Sequence, residues 1–183
     1  MKLCVIPAVL LMAVTMSAGD RPTEAWENTL FQRLPLYGHR NWIVVADSAY
    51  PAQSRDGIET IVSHADHFEV LQGVLEAIGA SRHVRPIVYT DEELRFVRDE
   101  DAPGVFEFRS RLADVLRGLT ISSLPHEQII AKLDQAGQTF RVLIIKTKLT
   151  IPYTSVFLQL DCGYWSSDAE QRLRNDMAAA GAK

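Results

Sequence analysis

Four side chains suited to proton transfer stand beside predicted core elements of this sequence: His39, Asp47, His126 and Tyr153. Imidazole titrates near neutral pH and a phenol can donate a proton, so the set suits proton transfer to and from neutral hydroxyl groups. The β-branched run at residues 43–46 predicts a buried strand that delivers Asp47 to the carboxyl edge of an α/β sheet, where such proteins bind ligands. Spacing alone does not show that the four side chains converge.

Asp47, His39 and one further histidine, His83, also have purely structural interpretations. Asp47 can cap a turn ahead of Pro51, and the Gly38-His39 pair is typical of the end of a helix. His83 lies between two arginines and is predicted to be a solvated surface residue. On local pattern, the structural and functional interpretations of Asp47 and His39 both remain open.

Metal and cofactor motifs are weak or missing. His64 and His67 have the three-residue spacing of helical metal ligands, but a helix cap at Asp66 is the simpler explanation. The His126-Glu127 pair resembles a zinc-protease helix only until Ile130, which replaces the second histidine. The sequence also lacks the phosphate-binding, dinucleotide-binding, nucleophile-elbow and Cys-x-x-Cys motifs. We therefore expect no metal and no cofactor.

The composition predicts one globular domain. The 183 residues are 47% hydrophobic and 23% charged, with a formal net charge of −4, which is ordinary for a folded domain. No basic stripe is present to neutralise phosphates, so nucleic acid is not an expected partner.

The first residues have the form of a secretory signal peptide. Lys2 precedes an apolar stretch over residues 3–16, and small residues follow up to Gly19. We expect residues 1–19 to be removed on export, most simply to the periplasm, which leaves no membrane segment. Residues 20–165 then form the domain, and residues 166–183 form a polar, Ala-rich tail that is predicted to fray.

Helical and strand patterns alternate along the domain, which predicts a single α/β domain. The strongest helix start is Asp66 with Glu69 three residues later, ahead of apolar residues at 3–4 spacing and a stop at Gly79. Other helices are predicted to begin near Thr23, Thr90 and Pro125 and to pass through Phe108, with strands at residues 43–46, 86–89, 140–145 and 155–160.

Taken in order, these motifs resemble the D-ribose pyranase / L-fucose mutarotase family, over about residues 30–163. The first motif is Gly38-His39, the strand at 43–46, and then Asp47, Ala49 and Pro51. The second is residues 58–94, which are similar to the family's central helix, strand and acidic helix start. The third is His126-Glu127-Gln128, the strand at 140–145, and Pro152 to Val156.

The resemblance implies a three-layer α/β fold with a mostly parallel central sheet, assembled into homo-oligomeric rings that are often decamers. It implies interconversion of anomers or ring forms of a free monosaccharide, ribose- or fucose-like, without a cofactor. His39 would be the acid/base group, with Tyr153 as a second proton-transfer group. Asp47, His126 and Ser155 would bind the sugar, partly across a subunit interface.

Several positions depart from the family's pattern. Asn41 replaces an Asp, Leu149 replaces a Glu and Ser155 replaces an Asn, while residues 95–125 match poorly. The export signal is also unlike the family's cytosolic members. A non-catalytic sugar-binding or scaffold protein, a structural oligomer without a ligand, and an enzyme for another small polar substrate therefore stay open.

Overall fold

The computed structural model describes residues 25–181, so the predicted signal peptide lies outside the described residues. A six-stranded sheet separates two helical layers. The strands are β1 (Trp42–Ala46), β2 (Ile58–Val62), β3 (Val84–Asp91), β4 (Ile121–Leu124), β5 (Val142–Lys146) and β6 (Val156–Cys162). The α-helices are α1 (Ala25–Arg33), α2 (His67–Ala80), α3 (Val105–Val115), α4 (His126–Thr139) and α5 (Ser167–Gly181), with short 3₁₀ helices at Leu34–Leu36 and Glu92–Arg95.

The strand order is β2-β5-β1-β6-β3-β4. Strand β6 is antiparallel to both of its neighbours, and the other five strands share one direction. The expected α/β fold with a mostly parallel sheet is therefore confirmed. The carboxyl ends of the five strands and the start of β6 meet at one edge, which we call the carboxyl edge. The opposite side is the amino edge.

Both faces of the sheet are covered, which explains why β1 is an unbroken apolar run. Every residue of β1 is buried. Ile43 and Val45 pack into the core formed with α1, α2 and α3. Val44 lies in the second core, on the face covered by α4. The fold thus has the three layers that the resemblance implied.

Helix α2 begins as predicted from its cap. The Asp66 side chain accepts hydrogen bonds from the backbone N–H groups of Phe68 and Glu69, which satisfies two donors that the first turn leaves unpaired. The helix continues one residue beyond Gly79 and ends at Ala80.

The structure differs from the sequence-based expectations at strand β4 and at Thr90. Strand β4 was missed because its four residues alternate exposed and half-buried and pair only with β3 at the sheet edge. The helix predicted from Thr90 is only a 3₁₀ turn, since β3 continues through Asp91.

The tail predicted to fray instead forms α5. Alanine has the best helix propensity, Ser166 Oγ accepts the Ala169 N–H, and Glu170 pairs with Arg174 one turn later. None of the residues of α5 is buried, so the helix lies outside the core. Between residues 25 and 181, no helix is long and apolar enough to cross a membrane.

Candidate functional site at the carboxyl edge

The carboxyl edge collects four of the five predicted site residues. Asp47 directly follows β1, and His126 begins α4 two residues after β4. Tyr153 and Ser155 precede β6, which starts at this edge because it runs antiparallel to its neighbours. The chain topology therefore brings together residues that are more than a hundred positions apart in the sequence.

Asp47 and Ser155 form one part of the site. Ser155 Oγ donates to Asp47 Oδ2 over 3.0 Å, while Asp47 Oδ1 accepts the Ala49 N–H over 2.9 Å. Asp47 thus caps its own turn, as its structural interpretation predicted, and its position after β1 places it at the carboxyl edge of the sheet. The hydroxyl at Ser155 is nearly inaccessible to solvent, so it orients the Asp47 carboxylate.

His126 is held by two acidic residues. Its Nδ1 lies 3.1 Å from Oδ1 of Asp91, the last residue of β3. Its backbone N–H lies 3.0 Å from both carboxylate oxygens of Glu93. The Glu93 carboxylate therefore caps α4, where Pro125 supplies no side-chain cap. The His126 side chain is 32% exposed. The imidazole therefore reaches solvent while the backbone and Nδ1 of His126 are held in place.

Tyr153 stands over His126 in a strained backbone conformation. The two rings meet edge to face, with centroids 5.8 Å apart. Tyr153 has φ of +59°, in the left-handed region that costs a non-glycine residue about 1–2 kcal/mol. The Thr154 hydroxyl donates to the Ile151 carbonyl over 2.6 Å and helps to close this turn. Strain of this kind is often found at functional sites, and Tyr153 is 39% exposed.

His39 lies at the other edge of the sheet. It precedes β1, whereas Asp47 follows it, and this strand has five residues, so about 17 Å of strand separates the two edges. The Gly38-His39 pair follows the 3₁₀ helix Leu34–Leu36 and its cap residue Tyr37, and then enters a tight turn before β1. In that turn Asn41 Oδ1 accepts the Gly38 N–H, and Arg40 has φ of +74°. Within one chain, His39 is therefore not close to the other four predicted site residues.

The surroundings of His39 form a separate cleft of about 640 Å³ between the amino edge and α5. Arg85 donates twice to Asp161 Oδ2 there, over 2.9 and 2.6 Å. Burial alone would raise the pKa of Asp161, but the hydrogen bonds from Arg85 and the Cys162 backbone hold it below its usual value, and His39 adds to this effect.

Of the three further histidines, His67 and His83 have structural roles. His67 is 1% exposed and its Nδ1 lies 3.1 Å from Thr147 Oγ1, whereas His64 precedes the cap of α2 and is exposed. The two do not share a helix face. Within residues 25–181, no group of three or more potential ligands is placed to hold a metal ion. His83 was predicted to be solvated, which was wrong, because its Nε2–H donates to the carbonyls of Leu34 and Tyr37.

Asp91 and Glu93 are the site residues that sequence reasoning missed. Both were assigned to the start of a helix. Asp47 directly follows a core strand and Asp91 ends one. The argument that selects Asp47 therefore also selects Asp91 once the strand predicted at residues 86–89 is extended to residue 91.

No family model and no curated protein matches the chain, but solved structures share its fold. RbsD of Bacillus subtilis, solved with D-ribose, superposes with a TM-score of 0.55 at 20% identity, over 78% of this chain and 98% of that one. The fucose mutarotase of Streptococcus pneumoniae, solved with L-fucose, gives 0.48 at 20% identity, over 73% and 91%. FucU of Bifidobacterium longum gives 0.48 at 19% identity, over 73% and 94%. The likeness to RbsD confirms, at the level of the fold, the resemblance found in the motifs.

Proposed function

We propose that this protein is an exported sugar mutarotase or pyranase, which interconverts anomers or ring forms of a free monosaccharide. The observation that carries the proposal is the meeting of Asp47, His126, Tyr153 and Ser155 at the carboxyl edge. The fold shared with RbsD, which was solved with D-ribose, supports a ribose-like substrate. The hydrogen-bonding and proton-transfer groups at the carboxyl edge suit a molecule with many hydroxyl groups. The D-ribose bound to RbsD is such a molecule.

Opening a cyclic hemiacetal requires one proton to leave the anomeric hydroxyl and another to reach the ring oxygen. In our proposal, His126 Nε2 accepts the first proton, with the Tyr153 phenol beside it as a hydrogen-bond donor. Asp47, oriented by Ser155, accepts hydrogen bonds from the sugar hydroxyls. Each well-positioned proton transfer of this kind contributes about 10²–10⁴-fold to the rate.

His39 enters this scheme through a second copy of the chain. Because His39 is exposed at the amino edge, a neighbouring subunit in a homo-oligomer can present it to the carboxyl edge of the first. There it would deliver the proton to the ring oxygen. The resemblance to a ring-forming family with sites at subunit interfaces supports this arrangement. The active unit would then be an oligomer, such as a decameric ring, and not a single chain.

The test is NMR saturation-transfer exchange on a panel of aldoses that includes D-ribose and L-fucose. The samples are mature wild-type protein, His126→Gln, His39→Ala, and His64→Gln as a matched control. His64 is an exposed histidine that follows β2, at the opposite end of the carboxyl edge from His126. We expect faster exchange for at least one sugar, a loss of about 10²-fold or more in the first two variants, and no change in the control. Wild-type protein that is folded and oligomeric but accelerates no sugar would refute the proposal.

One observation favours a second candidate, a non-catalytic sugar-binding or scaffold protein. Leu149 lies in the loop beside the site and packs against the core, where the resembling family has a Glu. A site that lacks this carboxylate can bind without catalysing. Tight sugar binding measured by calorimetry, without faster exchange, would favour this candidate over the mutarotase.

Export rests on residues 1–19 alone. We propose that they direct secretion and are cleaved before Asp20, and that the protein acts in the periplasm. Expression of the full chain followed by fractionation and N-terminal sequencing tests this. A mature chain starting at Asp20 in the periplasmic fraction is the expected result, and an intact Met1 in the cytoplasm would contradict it.

A further inference from the structure

Asp91 has a buried carboxylate directed at only one partner. Its side chain is 1% exposed, and its Oδ1 lies 3.1 Å from His126 Nδ1. Its Oδ2 is shielded from solvent and has no hydrogen-bond partner among the residues that the structure describes. An unpaired buried oxygen is costly. Since Asp91 cannot reach a ligand directly, its effect on the site must pass through His126.

The imidazole of His126 is fixed at its backbone as well. Glu93 accepts the His126 N–H with both carboxylate oxygens, so the first residue of α4 cannot shift along the edge. The side chain and the backbone of one histidine are thus held by two acidic residues from the end of β3. Within residues 25–181, His126 Nε2 makes no hydrogen bond, and it is the ring nitrogen left free for a ligand.

The charges around Asp91 decide which ring nitrogen of His126 carries the proton. Burial raises the pKa of Asp91 to about 6, against the opposing hydrogen bond and charge of His126. Glu93 and Asp47 raise it further. Above that pH the carboxylate is ionised and can only accept a hydrogen bond, so Nδ1 of His126 must be the donor. The Nε2 lone pair is then available as a base, as in other histidine–carboxylate pairs.

We propose that Asp91 is a positioning residue for His126: it fixes the imidazole as the Nδ1–H tautomer and presents a basic Nε2 beside Tyr153. The kinetic consequence rests on the proposed function, because it needs a reaction at that site. The tautomer is a property of the folded protein and stands without a substrate.

The test combines ring ¹⁵N NMR of histidine-labelled protein at pH 7.5 with exchange kinetics. His126→Gln identifies the His126 signals. In wild-type protein we expect the Nδ1–H pattern. In Asp91→Asn we expect a shift toward the Nε2–H pattern, since the amide can donate to Nδ1. The matched control is Glu92→Gln, which removes the neighbouring carboxylate that pairs with Arg95 instead of His126.

For kinetics we expect Asp91→Asn to lower kcat by about 10²-fold with KM within about twofold, and Glu92→Gln to retain both constants. A wild-type His126 in the Nε2–H form would overturn the inference, and this result does not depend on whether the variant folds. An unchanged tautomer or an unchanged kcat in folded Asp91→Asn would also overturn it. If the expected tautomer shift is seen but the protein does not accelerate exchange for any sugar, the proposed function is refuted. The positioning of His126 by Asp91 would still be supported.

Discussion

The buried imidazole of His67 predicts how the protein responds to acid. Its Nδ1–H donates to Thr147 Oγ1, which donates onward to the carbonyl of Ala46 at the end of β1. Its Nε2 has no hydrogen-bond partner among residues 25–181, and the ring packs against Phe68 and Phe108. A second proton would therefore place a charge and an unpaired N–H in the core.

Burial lowers the pKa of His67 to about 4, although the nearby carboxylates Asp66 and Asp47 oppose the change. The unfolded chain, with a pKa near 6.5, binds the proton more readily between these values, so stability falls as pH drops from about 6.5 to 4. The difference corresponds to about 3 kcal/mol of unfolding free energy at pH 4. Asp91 acts in the opposite sense. Its raised pKa of about 6 adds about 2 kcal/mol to the free energy of unfolding on acidification. The stability of wild type therefore changes less with pH than His67 alone would make it change.

The decisive comparison is urea unfolding of wild type and His67→Gln from pH 7.5 to 4. Lost packing lowers the variant's stability equally at every pH. The informative quantity is therefore how the difference in unfolding free energy between wild type and His67→Gln changes with pH. We expect the variant to gain about 3 kcal/mol relative to wild type across this range. His64→Gln, an exposed histidine three residues away, should show no such gain. A difference between wild type and His67→Gln that stays constant with pH would refute the assignment of a neutral, buried His67.

Three further predictions concern the site and the tail. Ser155→Ala should raise KM several-fold and cost about 1 kcal/mol of unfolding free energy, because the Asp47 carboxylate loses its buried donor. Kinetics measure KM and calorimetry measures the stability, and an unchanged KM would show that Ser155 does not contribute to binding. Tyr153→Gly should abolish exchange yet leave unfolding free energy within about 1 kcal/mol of wild type, since relief of the left-handed strain offsets the lost ring contact; a larger loss in denaturant would show that the ring carries packing energy. Removal of residues 167–183 should change the unfolding midpoint little, because none of the residues of α5 is buried. A clearly lowered midpoint would mean that this helix packs against another copy.

Short-range chemistry in the sequence predicted the local elements well. The unbroken run before Asp47 and the cap at Asp66 each depend on interactions within a few residues, and both were found where expected. Strand β4 and the order of strands were beyond such reasoning, because a four-residue edge strand with two serines is defined by its pairing with β3 and not by its own pattern.

The candidate site was predicted in part for the same reason. Asp47 was predicted from one strand end, His126 and Tyr153 from their residue types beside predicted core elements, and Ser155 came with the resemblance. Their meeting depends on β6 running antiparallel, which no local pattern reveals. The separation of His39 from Asp47 was foreseeable, since two residues that flank one strand must lie at opposite edges of the sheet.

That separation makes the central claim testable in a single experiment. If His39 of one copy acts with His126 of another, two inactive variants can rescue each other in a mixed oligomer. His39→Ala and His126→Gln chains, co-expressed with different tags and purified as mixed oligomers, should recover about a quarter of wild-type exchange activity, because about one interface in four then pairs an intact His39 with an intact His126. Mixed oligomers that remain as inactive as either variant alone would contradict a site shared between copies.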